Sequence, residues 1–124
     1  MATYVMRRLN SGNISLSKIV DFVPIGTVIG RTKNNHGFIY NINIDPSERL
    51  KKHGSEILNI YETLLKYNYK VDTIKLASWE KITESLTVTS FYESNGYKKC
   101  NNTSSIYFDD KVNIFEINQY YKKL

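Results

Sequence analysis

Several basic residues and one glycine lie close together in residues 44–58, IDPSERLKKHGSEIL, where a predicted strand runs into a predicted helix. The start of a helix offers unpaired N–H groups and the positive end of the helix dipole, and both attract anions. Arg49, Lys51 and Lys52 add positive charge to this loop, and Gly54 lets a phosphate approach the backbone. The segment therefore indicates a phosphate-binding loop, with an ordinary surface helix start as the alternative.

A second notable segment is residues 89–100, TSFYESNGYKKC. Its pattern is typical of the end of an amphipathic helix, closed by Asn95 and Gly96 in a left-handed cap. Taken alone, Phe91 and Tyr97 are core aromatics, and Tyr92 is a buried tyrosine with a satisfied hydroxyl.

Together the two segments resemble the Gcn5-related N-acetyltransferase (GNAT) family. In that family a strand ends at a proline turn, runs into a Gln/Arg-x-x-Gly-x-Gly/Ala loop and continues as a helix. Further along, a helix ends in a hydrophobic-Tyr-Glu-x-x-Gly-Phe pattern. Here residues 44–46 match the strand end, residues 49–54 the loop and residues 91–97 the second pattern, and the resemblance covers about residues 25–108.

The sequence also departs from the family pattern at several positions. Lys52 stands where the loop has its first glycine, which costs conformational freedom if its φ is positive. Ser85 and Val88 replace the usual Asn and Ala before Tyr92. Only residues 10–24 separate the first two predicted elements, where the family often has two helices.

The resemblance implies transfer of an acetyl group from acetyl-CoA to a primary amine, of a protein or a small molecule, by direct attack and without a metal. Tyr92 is implied to be the general acid that protonates the departing thiolate. The family often places a basic Glu on the strand before the loop, where this chain has Asn41 and Asn43. Acetyl-CoA is implied to contact the backbone of one strand, as an added strand does, and the backbone of the loop. These residues are Ile42, Asn43 and Ile44 on the strand, and Arg49, Leu50, Lys51, Lys52, His53, Gly54 and Ser55 in the loop.

Two other functions stay open. The first is a GNAT-like domain without turnover, which acts as a viral or phage protein on a host partner; Lys52, the missing Glu and the short segment 10–24 favour it. Asn, Lys, Ile and Tyr have AT-rich codons, and Ala has GC-rich codons. The excess of those four residue types over Ala suggests an AT-rich genome. The second is an unrelated nucleic-acid-binding module; it would need aromatic residues spaced along one sheet face, and the sequence does not show that pattern.

Composition limits the class of protein. A length of 124 residues with 41% apolar and 23% charged residues predicts one globular domain, residues 1–124. No apolar run is long enough to span a membrane, and the single Cys100 excludes an internal disulfide, so we expect a cytoplasmic protein, or one in host cytoplasm if viral. Two histidines and one cysteine are too few for a structural zinc site. The net charge of +5 is spread out, which disfavours a nucleic-acid partner. The sequence is equally compatible with a monomer and with a homodimer.

The elements that must position these residues follow from hydrophobic periodicity. Strands are predicted over residues 3–9, 25–32, 38–44, 73–79, 97–100, 105–108 and 112–121. A helix is predicted to begin within 48–55 and end near Asn68, and another covers 80–95. Residues 14–23 fit a short helix loosely, with a strand as the alternative, and end at Pro24.

This order predicts an α+β fold with a mixed sheet. The resemblance implies the three-layer GNAT type, with a mostly antiparallel sheet and helices on both faces. In the strand 38–44, strict alternation places Phe38, Tyr40, Ile42 and Ile44 on one face and Ile39, Asn41 and Asn43 on the other. A binding slot for the pantetheine arm of acetyl-CoA requires that this strand diverge from the strand 73–79.

Overall fold

The computed structural model describes residues 2–44, 52–100, 105–108 and 114–124. The elements in chain order are β1 (Ala2–Arg8), β2 (Ile14–Val20), β3 (Val23–Lys33), β4 (His36–Ile44), α1 (His53–Tyr69), β5 (Thr73–Lys81), α2 (Ser85–Ser94), β6 (Lys98–Lys99), β7 (Ser105–Phe108) and β8 (Ile114–Lys123). A single 3-10 turn, Ile82–Glu84, leads into α2. Within this part of the chain, no helix has the length and apolar character needed to cross a membrane.

The strands form one sheet in the order β1-β2-β3-β4-β5-β8-β6, and β7 also pairs with β8. β4 and β5 are parallel, and every other neighbouring pair is antiparallel. The parallel pair arises because α1 carries the chain back across the sheet between these two strands. The predicted α+β class and the mixed, mostly antiparallel sheet are confirmed.

The first four strands form an antiparallel meander. The turn between β3 and β4 has Asn34 and Asn35 at φ 51° and 65°, the left-handed conformation that Asn tolerates best after Gly. Residues 14–20 are the strand β2, so the extended alternative is correct there. Pro24 lies inside β3 rather than at a boundary, since the chain reverses earlier, at Asp21 and Phe22.

Both helices pack on the same face of the sheet, which we name the helix face. Ile57, Tyr61 and Leu65 of α1 lie over β3 and β4, where Cβ atoms built on Gly26, Gly30 and Gly37 would meet them. α2 reaches the same face through Tyr120 of β8, whose hydroxyl is 2.8 Å from the Thr89 hydroxyl. The expectation of helices on both faces is therefore corrected. Its physical reason is the short turn after β1, closed by the bond from Leu9 N to Asn13 O, which leaves no chain to build a helix over the other face.

A bulge at Tyr40 changes which residues of β4 face the helices. Gly30 of β3 is opposite Ile39, whereas Ile29 is opposite Asn41, so Tyr40 is the extra residue. Ile39 consequently shares the helix face with Ile42 and Ile44, and the predicted alternation through the strand is wrong. Asn41 and Asn43 lie on the opposite side, which we name the open face.

Candidate functional site

β4 and β5 pair over only four residues each and then diverge. Their ladder ends at Ile39 opposite Leu76, just before the bulge at Tyr40. The divergence leaves a cavity of about 260 Å³ between the strands, which we name the slot. Its walls are the backbone and side chains of Ile39–Ile42 and Leu76–Trp79, and Tyr92 closes it. The expected divergence of these two strands is confirmed.

A larger cavity of about 650 Å³ adjoins the slot on the helix face. It is bounded by the end of β4, the start of α1 and one side of α2, and it shares Ile42, Ser78, Trp79 and Tyr92 with the slot. The remaining lining residues are Ile44, Lys52, His53, Gly54, Ser55, Thr87, Val88 and Phe91. The two sequence segments that suggested chemistry therefore meet at one cavity.

Gly54 and Ser55 bring the start of α1 against α2. A Cβ on Gly54 would lie 3.3 Å from the Phe91 ring, so a larger residue would push the two helices apart. The Asn95 amide donates to Ser55 Oγ at 3.1 Å and to the Phe91 carbonyl at 2.8 Å. This contact fixes the helix start beside the cavity.

Tyr92 is a buried tyrosine whose surroundings keep it protonated. Burial raises the pKa of its hydroxyl above the usual 10, a hydrogen bond with the Ser78 side chain lowers it in part, and the Glu80 carboxylate raises it further. The hydroxyl therefore carries its proton at neutral pH, which a general acid must do.

A buried network holds the ring of Tyr92 in place. The ring of Tyr120 lies 4.7 Å from it, centroid to centroid. The Tyr120 hydroxyl donates to Glu80 at 2.9 Å, and the amide of Asn118 donates to the other carboxylate oxygen at 3.1 Å. Glu80 is 2% exposed, and these two bonds satisfy a carboxylate that water does not reach.

Lys18 is a basic residue of this region that the sequence interpretation missed. It is 5% exposed on the helix face of β2, and its ammonium donates to Glu56 at 2.7 Å and lies 3.2 Å from His53 Nδ1. The bond to Nδ1 favours the imidazole tautomer with its proton on Nε2. One signal was present in the sequence: Ile14, Leu16 and Lys18 alternate on one face of a strand, so the charge must be buried.

The predicted site residues have three outcomes. The side chains or backbone of Ile42, Ile44, Lys52, His53, Gly54, Ser55 and Tyr92 line the cavities. Asn43 is opposite Thr27 and its side chain lies on the open face, so only its backbone could serve the predicted role. Arg49, Leu50 and Lys51 lie outside the described residues.

Lys52 precedes α1 in the left-handed conformation, with φ 63° and ψ 14°. This region favours glycine and costs other residues about 1 kcal/mol. We expect Lys52→Gly to raise the free energy of unfolding by about 0.5 kcal/mol, since the relief of strain exceeds the entropy of the added glycine. Acetyl-CoA affinity should fall about threefold through loss of one partly screened charge. Chemical denaturation and calorimetric titration measure the two effects.

Lys70 provides the matched control, because it ends α1 with φ 55° in the same left-handed region and lies at the other end of the helix from the cavity. Lys70→Gly should give a similar gain in stability with unchanged affinity. If the Lys52→Gly variant bound acetyl-CoA as tightly as the original chain, the Lys52 charge would have no role in binding.

Comparison with solved structures gives many matches at high confidence, and all those described here are acetyltransferases. An acetyltransferase of the GNAT family from Staphylococcus aureus Mu50 has a TM-score of 0.68 at 25% identity, over 93% of this chain and 70% of that one. The Escherichia coli ribosomal-protein-S18-alanine N-acetyltransferase gives 0.75 at 14% identity, over 94% and 72%. An aminoglycoside 6'-N-acetyltransferase complexed with coenzyme A gives 0.69 at 14% identity, over 94% and 75%.

The sequence itself matches no family model and no curated protein. The likeness is therefore one of overall architecture, found at low sequence identity. The chain is a member of the GNAT fold.

Proposed function

We propose that this protein transfers an acetyl group from acetyl-CoA to a primary amine. The observation that carries the proposal is the slot between β4 and β5, which has the protonated Tyr92 at its wall and adjoins the helix-face cavity at the start of α1. An extended thioester arm fits a gap between two strands, and the phosphates of a nucleotide fit a helix start. Solved structures of the same fold include one complexed with coenzyme A.

In this proposal the pantetheine arm lies along β4 past the bulge, where that edge no longer pairs with β5. Backbone groups of Ile42, Asn43 and Ile44 orient it. The N–H groups at the start of α1, together with Lys52 and the Nε2–H of His53, receive the pyrophosphate. Lys18 supports this end of the site by fixing the His53 ring.

The chemical step forms a bond between the amine nitrogen and the acetyl carbon and breaks the carbon–sulfur bond. Tyr92 gives its proton to the departing sulfur, and the amine loses a proton to water. Catalysis rests mainly on holding the two reactants together in a dry site. None of the described residues lining the slot or the helix-face cavity is a carboxylate, so the free amine must form before attack.

The rate is therefore expected to follow deprotonation of the amine. For an acceptor of pKa about 9.5, kcat/KM should rise about tenfold per pH unit between pH 7 and 9. Because the Tyr92 pKa is raised above 10, the acid remains protonated and no falling limb should appear below pH 10. A pH–rate profile over pH 6.5–10 tests this. A plateau already at pH 7 would instead indicate a basic group of the protein.

Calorimetric titration with acetyl-CoA tests the proposal directly. We expect a Kd below about 1 mM, the usual upper range for substrates. Ser78→Phe should weaken binding at least about tenfold, because Ser78 lines both the slot and the helix-face cavity and a ring there fills the gap. Circular dichroism of the Ser78→Phe variant serves as the control for folding. No binding by the original chain at millimolar acetyl-CoA would refute the proposed site.

The competing hypothesis, a GNAT-fold protein without turnover, is distinguished by thiol release. An enzyme releases CoA in proportion to the acceptor supplied, whereas a binding protein retains acetyl-CoA intact. The strained Lys52 is compatible with both, since its charge would serve binding in either case.

A further inference from the structure

The open face of the sheet carries a third cavity, of about 590 Å³, directly behind the slot. It shares five lining residues with the slot: Ile39, Tyr40, Leu76, Ala77 and Trp79. A molecule in this cavity, which we name the open-face groove, would thus reach the point where β4 and β5 diverge. The helix-face cavity meets the slot from the other side through Ile42, Ser78 and Tyr92.

Aromatic residues form a large part of the walls of the open-face groove. Phe38 and Tyr40 of β4, Trp79 of β5 and Tyr121 of β8 line it, and the side chains of Tyr40 and Trp79 are 52% and 61% exposed. Large aromatic surfaces that lie together on the exterior are costly to leave in water and commonly mark a binding site. Their flat rings match a flat apolar partner and also attract a single ammonium group.

The charge of the groove is positive. Lys75 is the only charged residue among the described residues that line it, and none of them is a carboxylate. The Arg31 guanidinium lies 5.7 Å from the centre of the Tyr40 ring and adds a second positive charge at the edge. A substrate with several ammonium groups would meet these two cations without any anionic partner among the described residues, which is unfavourable in a partly desolvated site.

We propose that the open-face groove binds the acceptor, and that the acceptor is a small primary amine carried on an aromatic body with no second cationic group. This inference rests on the proposed acetyl transfer. The aromatic body packs among Tyr40, Trp79 and Tyr121, and the amine points toward the slot. Among the described residues the groove has two cations and no carboxylate, which disfavours polyamines and aminoglycosides, and the volume of the groove is in the range of small-molecule sites.

The single tryptophan allows binding to be measured without turnover. Trp79 is the only tryptophan of the chain, and it lines the groove, the slot and the helix-face cavity. 2-Phenylethylamine, which does not fluoresce when tryptophan is excited selectively, is the aromatic probe. Spermidine is the polycationic probe, and the peptide Gly-Gly-Gly carries an amine without a ring. Each is titrated with the free protein and with the protein saturated with CoA.

We expect 2-phenylethylamine to bind at least about tenfold more tightly than either other probe, given the energy of one buried ring. Tyr121→Ala should weaken its binding at least about fivefold while leaving acetyl-CoA affinity unchanged, because Tyr121 lines the open-face groove but neither the slot nor the helix-face cavity. Spermidine or the peptide binding as tightly as 2-phenylethylamine, or an unaffected Tyr121→Ala variant, would overturn the inference.

A charge-reversal pair tests the electrostatic part. Lys75→Glu should improve spermidine binding at least about threefold relative to 2-phenylethylamine. Lys66→Glu makes the same change on α1, away from the groove, and should leave this ratio unchanged. An equal effect of both variants would overturn the role of Lys75. Failure of acetyl-CoA binding alone would refute the acetyl-transfer proposal, while saturable 2-phenylethylamine binding that depends on Tyr121 would keep the groove as an aromatic-amine site.

Discussion

Replacement of Tyr92 by Phe is expected to lower kcat about 100-fold, the usual size of a general-acid contribution. The change removes only the hydroxyl, so the ring packing against Phe91, Tyr97 and Tyr120 is kept. Acetyl-CoA affinity should change less than about twofold, because the proton matters only when sulfur leaves. Steady-state thiol release and calorimetric titration measure the two quantities.

The leaving group provides a readout that a structural role of Tyr92 would not affect. An acetyl thioester of a more acidic thiol expels its sulfur without needing a proton, so the loss in Tyr92→Phe should shrink toward about tenfold or less. Tyr97→Phe is the matched control. Tyr97 is also buried, packs against Tyr92 with centroids 5.9 Å apart, and bonds to Glu62 rather than facing the slot. An unchanged kcat in Tyr92→Phe, or an equal loss in Tyr97→Phe, would exclude the proposed role.

The second large effect is expected on stability, from Gly30→Ala. A Cβ at this position would overlap the Phe38 carbonyl oxygen and lie 2.8 Å from the Tyr61 hydroxyl, which itself donates to the Ile14 carbonyl. Because the first neighbour is backbone, β3 and β4 must separate at the bulge. We expect a loss of about 3 kcal/mol in the free energy of unfolding, and a fall of roughly 10 °C in Tm.

Acetyl-CoA binding should weaken in the same variant, since the bulge at Tyr40 is what parts β4 from β5. Gly12→Ala is the control: Gly12 has φ 87° but no atom within 4 Å of a built Cβ. It should cost only the conformational strain of about 1 kcal/mol and leave binding intact. If the two variants proved equally stable in urea denaturation, the close packing at Gly30 would not matter to the fold.

The parts of the fold that the sequence predicts well are those set by local chemistry. The Asn34–Asn35 turn, the helix stripe through Ile57 and Leu65, and the Gly96 cap each depend on residues close in the chain. The two segments that suggested chemistry were recognised for the same reason, and their meeting at one cavity follows from the strand–helix–strand connection between β4 and β5.

The parts that sequence reasoning missed depend on partners distant in the chain. The bulge at Tyr40 exists because Gly30, on another strand, admits a close backbone approach. The role of Lys18 depends on its contacts with Glu56 and His53, which lie on a helix that follows two strands later. The placement of both helices on one face likewise follows from the short turn after β1, which carries no helix, and not from a pattern in the helices themselves.

The short parallel ladder between β4 and β5 also divides the sheet mechanically. Four residue pairs join the β1–β4 meander to the β5–β8 half, whereas nine join β5 to β8. Such a seam is expected to open more readily than the rest of the sheet. The ion pair between Glu62 of α1 and Lys122 of β8 crosses it. A ligand lying in the slot would contact both halves at once. Substrate binding would then hold the two halves together. The same binding free energy that orients the reactants would make the two halves unfold as one cooperative unit.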